Sequence, residues 1–346
     1  MLLEDAPDTR AVVEVAERIL DALHSPILVD GREVYARASI GIATRRGPTT
    51  TPEELLRNAD LAMYTAKANG KGCIEMFEPA MHHRAVDRLA IRGELERAVE
   101  RAEIGVAYQP IVRLDTGELV AFEALARWTH PERGAVSPTE FVPIAEDTGL
   151  IVPLGKLVLE RACHQLGVWL AANPTATWQM SVNLSARQLL APDLVATVRT
   201  ATEAADLEPS SLILELTESV LLADSERVLR RLHRLKDLGV QIAIDDFGTG
   251  YSSLSYLQRV PFVILKIDRA FVAALRHEDP QTTLVRTIMD LGRTLGRTAI
   301  AEGIEEQVEL DGLLALGCEL GQGMHFGSAT DAATLERDLG LVSATA

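Results

Sequence analysis

Between residues 115 and 305, six apolar runs each end on a charged or amide side chain. Glu123 follows Glu118-Leu-Val-Ala-Phe, Asn183 follows Trp178-Gln-Met-Ser-Val, and Glu215 follows Ser211-Leu-Ile-Leu. Asp245 and Asp246 follow Val240-Gln-Ile-Ala-Ile, Lys266 follows Phe262-Val-Ile-Leu, and Glu302 follows Thr298-Ala-Ile-Ala. Short continuous runs rich in Val and Ile read as parallel strands buried on both faces. A polar group left unpaired in such a core costs several kcal/mol. Five acids, an amide and a lysine in these places therefore predict oxygen ligands ringing the mouth of a barrel, in the manner of a divalent-metal site.

Composition narrows the alternatives. With 346 residues the chain has room for two domains, or for one barrel with an extension. A formal charge of −16 argues against a general DNA or membrane-surface binder, which needs a basic patch. It leaves room for a small phosphorylated ligand, because bound metals reverse the local sign of a site. Cys73, Cys163 and Cys318 are isolated, which excludes a disulfide framework and a cysteine zinc site. No apolar stretch is long enough to span a membrane and the start has no leader pattern, so a cytoplasmic location is expected.

Residues 1–78 differ in texture from the rest. Ala11–Leu23 has helical apolar spacing, and Ile27–Val29, Asp30-Gly31 and Val34–Ala43 read as a hairpin. Thr51-Pro-Glu-Glu opens a helix with a capping box through Glu54, and Asn69-Gly70 closes it. Met63 and Tyr64 fall in that helix's core stripe, with no ligand role. Residues 79–103 read as one amphipathic helix with Leu89, Leu95 and Val99 on its buried side, and His82-His83 reads as solvated. Helices are then expected at Pro153–Ala171, Pro192–Ala205, Asp224–Leu238, Pro280–Leu295 and Gln307–Leu316. The alternation predicts about eight strands in a closed (β/α)8 barrel over residues 104–340, with functional groups at the carboxyl ends of the strands.

At Glu123 a resemblance enters. Glu123-Ala-Leu-Ala-Arg127 follows Tyr108-Gln-Pro-Ile-Val and precedes His130-Pro. Then come Ser181-Val-Asn-Leu-Ser, Leu214-Glu-Leu-Thr-Glu-Ser and Asp245-Asp-Phe-Gly-Thr-Gly-Tyr-Ser-Ser-Leu. Leu265-Lys-Ile-Asp, Ala301-Glu-Gly-Ile-Glu and Gln322-Gly complete the series. Seven such strings in order resemble the EAL family of cyclic di-GMP phosphodiesterases over roughly residues 88–335.

That resemblance implies hydrolysis of one phosphodiester bond of cyclic di-GMP to the linear dinucleotide. It implies two ions, Mg²⁺ or Mn²⁺, in a TIM-like barrel whose first strand runs antiparallel to the others. Glu123, Asn183, Glu215 and Asp245 match metal ligands, Asp246 lies beside the bridging Asp245, and Glu302 and Gln322 match positions that bind metals or their waters. Lys266 matches the lysine that polarises the attacking water, and Glu218 one that braces the loop beginning at Asp246. Gln109, Leu125, Arg127, Asp246 and Gln322 match the substrate-binding set. A homodimer through the barrel is implied as well, coupled to the loop Asp245–Ser253 and the segment Leu254–Leu257. Oxygen donors of this kind suit hard divalent ions, and clustered carboxylates need cations to stay ionised together. The alternatives are a receptor that binds cyclic di-GMP without cleaving it and an interaction module. Each should have lost acids, Arg127 or the 245–253 loop, and this sequence keeps them. Gly303 reads as a simple turn glycine, Gly248 and Gly250 as part of a mobile loop, and Trp128 as either packing or guanine stacking.

The first 78 residues also resemble a known family. Ser39-Ile-Gly-Ile-Ala, Ala59-Asp-Leu-Ala-Met-Tyr-Thr-Ala-Lys67 and Asn69-Gly-Lys-Gly are similar to the carboxyl half of a GGDEF diguanylate cyclase domain, as is Leu2-Leu-Glu-Asp-Ala-Pro. The expectation is a partial α/β GGDEF-like segment without the GGDEF hairpin, in a chain that begins inside a tandem protein and leaves an apolar strand edge at Ile40 and Ile42. At the other end Met324-His325-Phe326 runs into Ser328 with no proline, a departure from the EAL pattern that alters the expected shape of the last loop.

Overall fold

The computed structural model describes residues 1–3, 8–24, 27–29, 32–34, 38–45, 50–68, 72–221, 225–248, 257–276 and 281–341. They form two compact units, Met1–Gly93 and Glu94–Ala346.

In the first unit a helix, Thr9–His24, precedes an antiparallel pair, β1 (Ile27–Val29) and β2 (Arg32–Val34). Strand β3 (Ile40–Ile42) pairs in parallel with β4 (Ile74–Met76), so the expected single strand Val34–Ala43 is two short ones. Among the described residues β3 has no strand partner besides β4. A Cβ on Gly41 would stand 2.0 Å from Met63 N and 2.1 Å from Ala59 O, so only glycine lets β3 approach the helix Pro52–Ala68 this closely. That helix has the predicted capping box: Glu54 N donates to Thr51 Oγ1 at 3.2 Å and Thr51 N to Glu54 Oε2 at 3.1 Å. Its core contact is Ala62 against Phe77 and Met81. Met63 is half-buried, but Tyr64 is 50% exposed and lies off the core stripe to which its spacing assigned it. The turns Asp30-Gly31 and Asn69-Gly70 lie outside the described residues.

The helix Ala80–Glu100 follows. Met81, Ile91, Leu95 and Ala98 are buried, Val99 is half-buried, and Leu89 is 70% exposed, contrary to the expectation for Leu89. The inward stripe therefore keeps Leu95 but turns toward Ile91 and Ala98, away from Leu89. His82 is not merely solvated either, since its Nε2 is 2.9 Å from Asn58 Oδ1 and its ring meets Phe77 edge-on.

The second unit is the barrel. Its strands are β5 (Ile104–Arg113), β6 (Leu119–His130), β8 (Gln179–Asn183), β9 (Leu212–Thr217), β10 (Gln241–Phe247), β11 (Ile264–Ile267), β12 (Thr298–Ala301) and β13 (Leu320–Gly321). A short β7 (Gly134–Val136) adds to β6 outside the ring. Hydrogen bonding runs β5-β13-β12-β11-β10-β9-β8-β6, and β6 pairs back to β5, which closes the ring at eight strands. β5 is antiparallel to both neighbours, and the remaining pairs within the ring are parallel. The predicted helices appear as Ile151–Ala172, Leu194–Ala204, Ser225–Leu238, Gln281–Leu295 and Gln307–Ala315. An additional helix, Pro138–Thr148, begins with Pro138 at its first turn and Ser137 as N-cap.

One layer of the interior is wholly apolar: Ile111, Ala121, Ile213, Ala243, Ile264 and Ile300 pack together, one from each of six strands. Side chains alternate across a strand, so residues two apart share a face. The next inward position toward the mouth is therefore fixed on every strand.

Candidate active site

Two residues beyond that apolar layer the interior turns polar. Ala121 leads to Glu123, Ile213 to Glu215, Ala243 to Asp245, Ile264 to Lys266 and Ile300 to Glu302. On the antiparallel β5 the same step runs backward, from Ile111 to Gln109, which stands in register with Glu123. The parallel register aligns Asn183 with Glu215 and Asp245 with Thr217. The ring predicted from the sequence is thus one layer of the barrel, produced by strand periodicity and register.

Lys266 is its centre. The ammonium is fully buried and forms ion pairs with Glu215 Oε1 at 2.8 Å, Glu123 Oε2 at 3.2 Å and Asp245 Oδ1 at 3.8 Å, and with Glu302 Oε1. Glu123 also accepts from Asn183 Nδ2 at 2.8 Å and from Gln322 Nε2 at 2.6 Å. Gln322 Nε2 reaches Glu302 Oε1 at 3.3 Å, so one amide bridges two carboxylates.

The charges do not balance. Glu123, Glu215, Asp245, Asp246 and Glu302 with one Lys266 give −5 + 1 = −4 when all are ionised. The consequences fall unevenly. Burial opposes ionisation of Glu123, but the Lys266 charge and the Gln322 and Asn183 hydrogen bonds win, and its pKa is lowered. Burial, then the charge of Glu123, holds Glu215 well above the ordinary carboxylate value, and Asp245 is also raised, first by burial. Burial pushes Glu302 up to about 8 against the pull of Lys266. Asp246 rises to about 6 through burial, then the charges of Asp245 and Asp268. Burial would lower Lys266, yet its carboxylates keep it well above the usual lysine value.

Ligand atoms of Asp245, Asp246 and Glu302 lie within 4.8 Å of one another. Glu215 Oε2 and Gln322 Oε1 are buried with no hydrogen-bond partner. Surplus negative charge, converging oxygens and idle acceptors are what a hard divalent cation satisfies. The residues present fit such an ion.

The loop after β10 is anchored from β9. Glu218, buried just past Thr217, accepts the Gly248 amide through Oε2 at 3.1 Å. Asp246 has φ +53, a left-handed conformation unusual for a side-chain-bearing residue, and its amide donates to Asp245 Oδ1 at 2.9 Å. Gly248 has φ +98, and a Cβ there would meet Phe271 Cε2 at 2.9 Å, so glycine is required. The rest of the predicted loop, including Gly250 and the segment Leu254–Tyr256, lies outside the described residues.

A cavity of about 310 Å³ opens beside the ring, lined by Leu125, Arg127, Glu146, Asn183, Glu215 and Thr217 among others. Leu125 and Arg127 are thus placed next to the acids, and Arg127 Nη1 donates to Ala126 O at 3.0 Å. Gln109 Nε2 donates to Gly327 O at 3.1 Å and joins the last loop to the barrel mouth. Trp128 belongs to the packing: it is 1% exposed and meets Phe141 and His130 edge-on. Gly303, just past β12, has φ +68, and a Cβ there would strike Arg269 Cβ at 2.4 Å, so a close approach as well as the backbone conformation calls for glycine.

Two participants were not singled out from the sequence. Ser181 Oγ donates to Glu215 Oε1 at 2.5 Å, and Asp268 hydrogen-bonds the Asp246 side chain while capping the helix Arg269–Ala273. The available signal was position alone: Ser181 lies two residues before Asn183, and Asp268 two after Lys266.

The comparisons agree with this geometry. The EAL domain family model matches residues 92–329, and the model for the diguanylate cyclase GGDEF domain matches residues 1–73. The bifunctional diguanylate cyclase/cyclic di-GMP phosphodiesterase MucR of Pseudomonas aeruginosa is 42% identical over 94% of this chain and 48% of its own length. The cyclic di-GMP phosphodiesterase PdeR of Escherichia coli is 35% identical over 97% of this chain and 50% of its own. The chain thus spans about half the length of these curated relatives. A solved structure of the PaMucR phosphodiesterase in complex with c-di-GMP superposes with a TM-score of 0.68 at 44% identity, covering 71% of this chain and 99% of that one. The chain belongs to the EAL-domain family, and its first residues match the GGDEF domain.

Proposed function

We propose that this chain hydrolyses cyclic di-GMP to the linear dinucleotide, with divalent cations, Mg²⁺ or Mn²⁺, held at the acidic ring. The observation that carries the reading is the buried Lys266 among Glu123, Glu215, Asp245 and Glu302. A binding module has no need of that many strained carboxylates. The relatives named as cyclic di-GMP phosphodiesterases support the substrate, as does the complex of the PaMucR phosphodiesterase with c-di-GMP.

Glu123, Asn183, Glu215 and Asp245 would hold one cation, and Asp245, Asp246 and Glu302 a second. Bound there, such ions supply Lewis-acid polarisation of the phosphodiester and a water acidic enough to attack it near neutral pH. The protein's own residues do the rest. Lys266 orients that water and takes part of the carboxylate charge, Arg127 offers a two-pronged donor to the nonreacting phosphate oxygens, and Leu125 with the cavity walls excludes solvent. Glu218 holds Gly248, and through it the backbone that carries Asp245 and Asp246. A homodimer through the barrel is part of the proposal, with the 245–253 loop coupled to the interface.

A receptor reading would be favoured by a missing ligand, and each matched position retains a competent side chain. Calorimetry of cyclic di-GMP binding in chelator, paired with chromatography of the products after Mg²⁺ addition, separates the two. Binding followed by conversion supports catalysis, and tight binding with the ligand recovered intact after Mg²⁺ supports the receptor.

A further inference from the structure

Two oxygens of one carboxylate are treated differently at this site. Glu215 Oε1 accepts from Ser181 Oγ at 2.5 Å and lies 2.8 Å from Lys266 Nζ, while Oε2 is buried with no partner. Glu215 is 2% exposed, so no bulk water supplies the missing donor. An unpaired buried acceptor is costly, and its persistence calls for an occupant.

Ser181 is built for the asymmetry. It is 1% exposed, lies on β8 with Asn183 on the same face two residues on, and stands in register with Glu123 on one side and Ile213 on the other. Its neighbours Met180 and Val182 are apolar, buried and on the opposite face of the strand, so Ser181 is the hydroxyl that this stretch of β8 turns toward Glu215. A serine hydroxyl has one proton to give, and this one goes to Glu215.

The geometry assigns Ser181 as a positioning residue that fixes which oxygen of Glu215 meets a cation: Oε1 is committed to Ser181 and Lys266, and Oε2 alone is presented. This rests on the reading of the ring as a metal centre. Single-oxygen presentation has a chemical consequence. Mg²⁺ demands near-ideal octahedral geometry, which a one-oxygen carboxylate fits, whereas Ca²⁺ accommodates two-oxygen carboxylates and higher coordination. Partners that orient a ligand typically govern metal affinity by about 10–100-fold. Ser181 therefore tunes the site toward the smaller ion.

The test is calorimetric titration of Mg²⁺ and of Ca²⁺ into the chelator-stripped full chain without substrate, for wild type, Ser181→Ala and Ser181→Thr. Expected for Ser181→Ala is an Mg²⁺ Kd raised roughly tenfold or more, a smaller loss for Ca²⁺, and a ratio displaced toward Ca²⁺. Ser181→Thr keeps the hydroxyl and should return both values toward wild type. A metal-free melting curve checks the fold, and if Ser181→Ala does not fold, Ser181→Cys, which keeps the volume but donates weakly, takes its place. Unchanged Mg²⁺ affinity and ratio in the hydroxyl-deficient variant overturn the role of Ser181 and leave the metal centre standing. A wild-type chain that takes up neither ion overturns both.

Discussion

Gly248 N donates to Glu218 Oε2 at 3.1 Å, a bond that ties the loop after β10 to the end of β9 across the rim of the acidic ring. Glu218 is buried, and two residues before Gly248 the backbone at Asp246 is held left-handed at φ +53. Strained backbone of this kind persists only where its surroundings hold it, and this hydrogen bond is one such hold. Glu218→Ala is expected to reduce turnover about tenfold or more by letting Asp245 and Asp246 drift, with a small change in melting temperature. Kinetics and light scattering on the same samples decide it, because the proposed dimer should persist in the variant. A strictly monomeric wild type at full activity would remove the coupling to an interface, and an unaffected variant would remove the brace.

Glu123 accepts hydrogen bonds from Asn183, Lys266 and Gln322. Glu123→Ala should abolish hydrolysis while circular dichroism shows an intact barrel, since lost pairing is partly offset by relieved carboxylate repulsion. More than about a tenth of the wild-type rate at saturating Mg²⁺ would show that Glu123 does not hold a cation.

Stability of the chelated protein should fall as pH rises. Glu302 is raised from 4.5 to about 8 and Asp246 from 3.8 to about 6. Between those values the folded state binds more protons than the unfolded chain, so unfolding becomes easier with increasing pH. Glu123, whose pKa is lowered, has already given its stabilisation above its unfolded value and adds no slope in this window. Melting temperatures in chelator should therefore decline from about pH 5 to pH 8, and Mg²⁺ should flatten the decline. A melting temperature that rises over this range in chelator would contradict the charge balance derived for the ring.

Calcium should bind without supporting turnover, because it prefers longer bonds and more ligands and is the weaker Lewis acid. Steady-state assays with Ca²⁺ as the sole cation, and with Ca²⁺ competing against Mg²⁺, measure this. Inhibition without product is expected, and brisk cleavage in Ca²⁺ alone would refute the metal geometry.

The ring was legible because strand periodicity is strict. Glu123, Glu215, Asp245 and Glu302 each stand two residues beyond an interior apolar side chain, so an apolar run that ends in a charge marks both the strand and its mouth. Gln109 was named through the family resemblance and not through this pattern, because β5 runs backward and places it in the middle of an apolar stretch rather than at its end. What escaped has a related cause. Ser181 is short and mildly polar, which fits either face of a strand until the register with Glu123 is known. The helix Pro138–Thr148 was passed over although Ser137-Pro138 marks its start. Helical spacing gave the axes of Pro52–Ala68 and Ala80–Glu100 but misplaced Tyr64 and Leu89, because periodicity defines a stripe and only a neighbour decides which flank is covered.

The most direct test of the account is hydrolysis in isotopic water. Purified chain, cyclic di-GMP and Mg²⁺ are incubated in H₂¹⁸O and the products resolved by mass spectrometry. The account predicts a single linear dinucleotide with one ¹⁸O on its terminal phosphate, and no product when chelator replaces Mg²⁺. Recovery of intact cyclic di-GMP from a chain that binds it, or cleavage that proceeds equally in chelator, would contradict it.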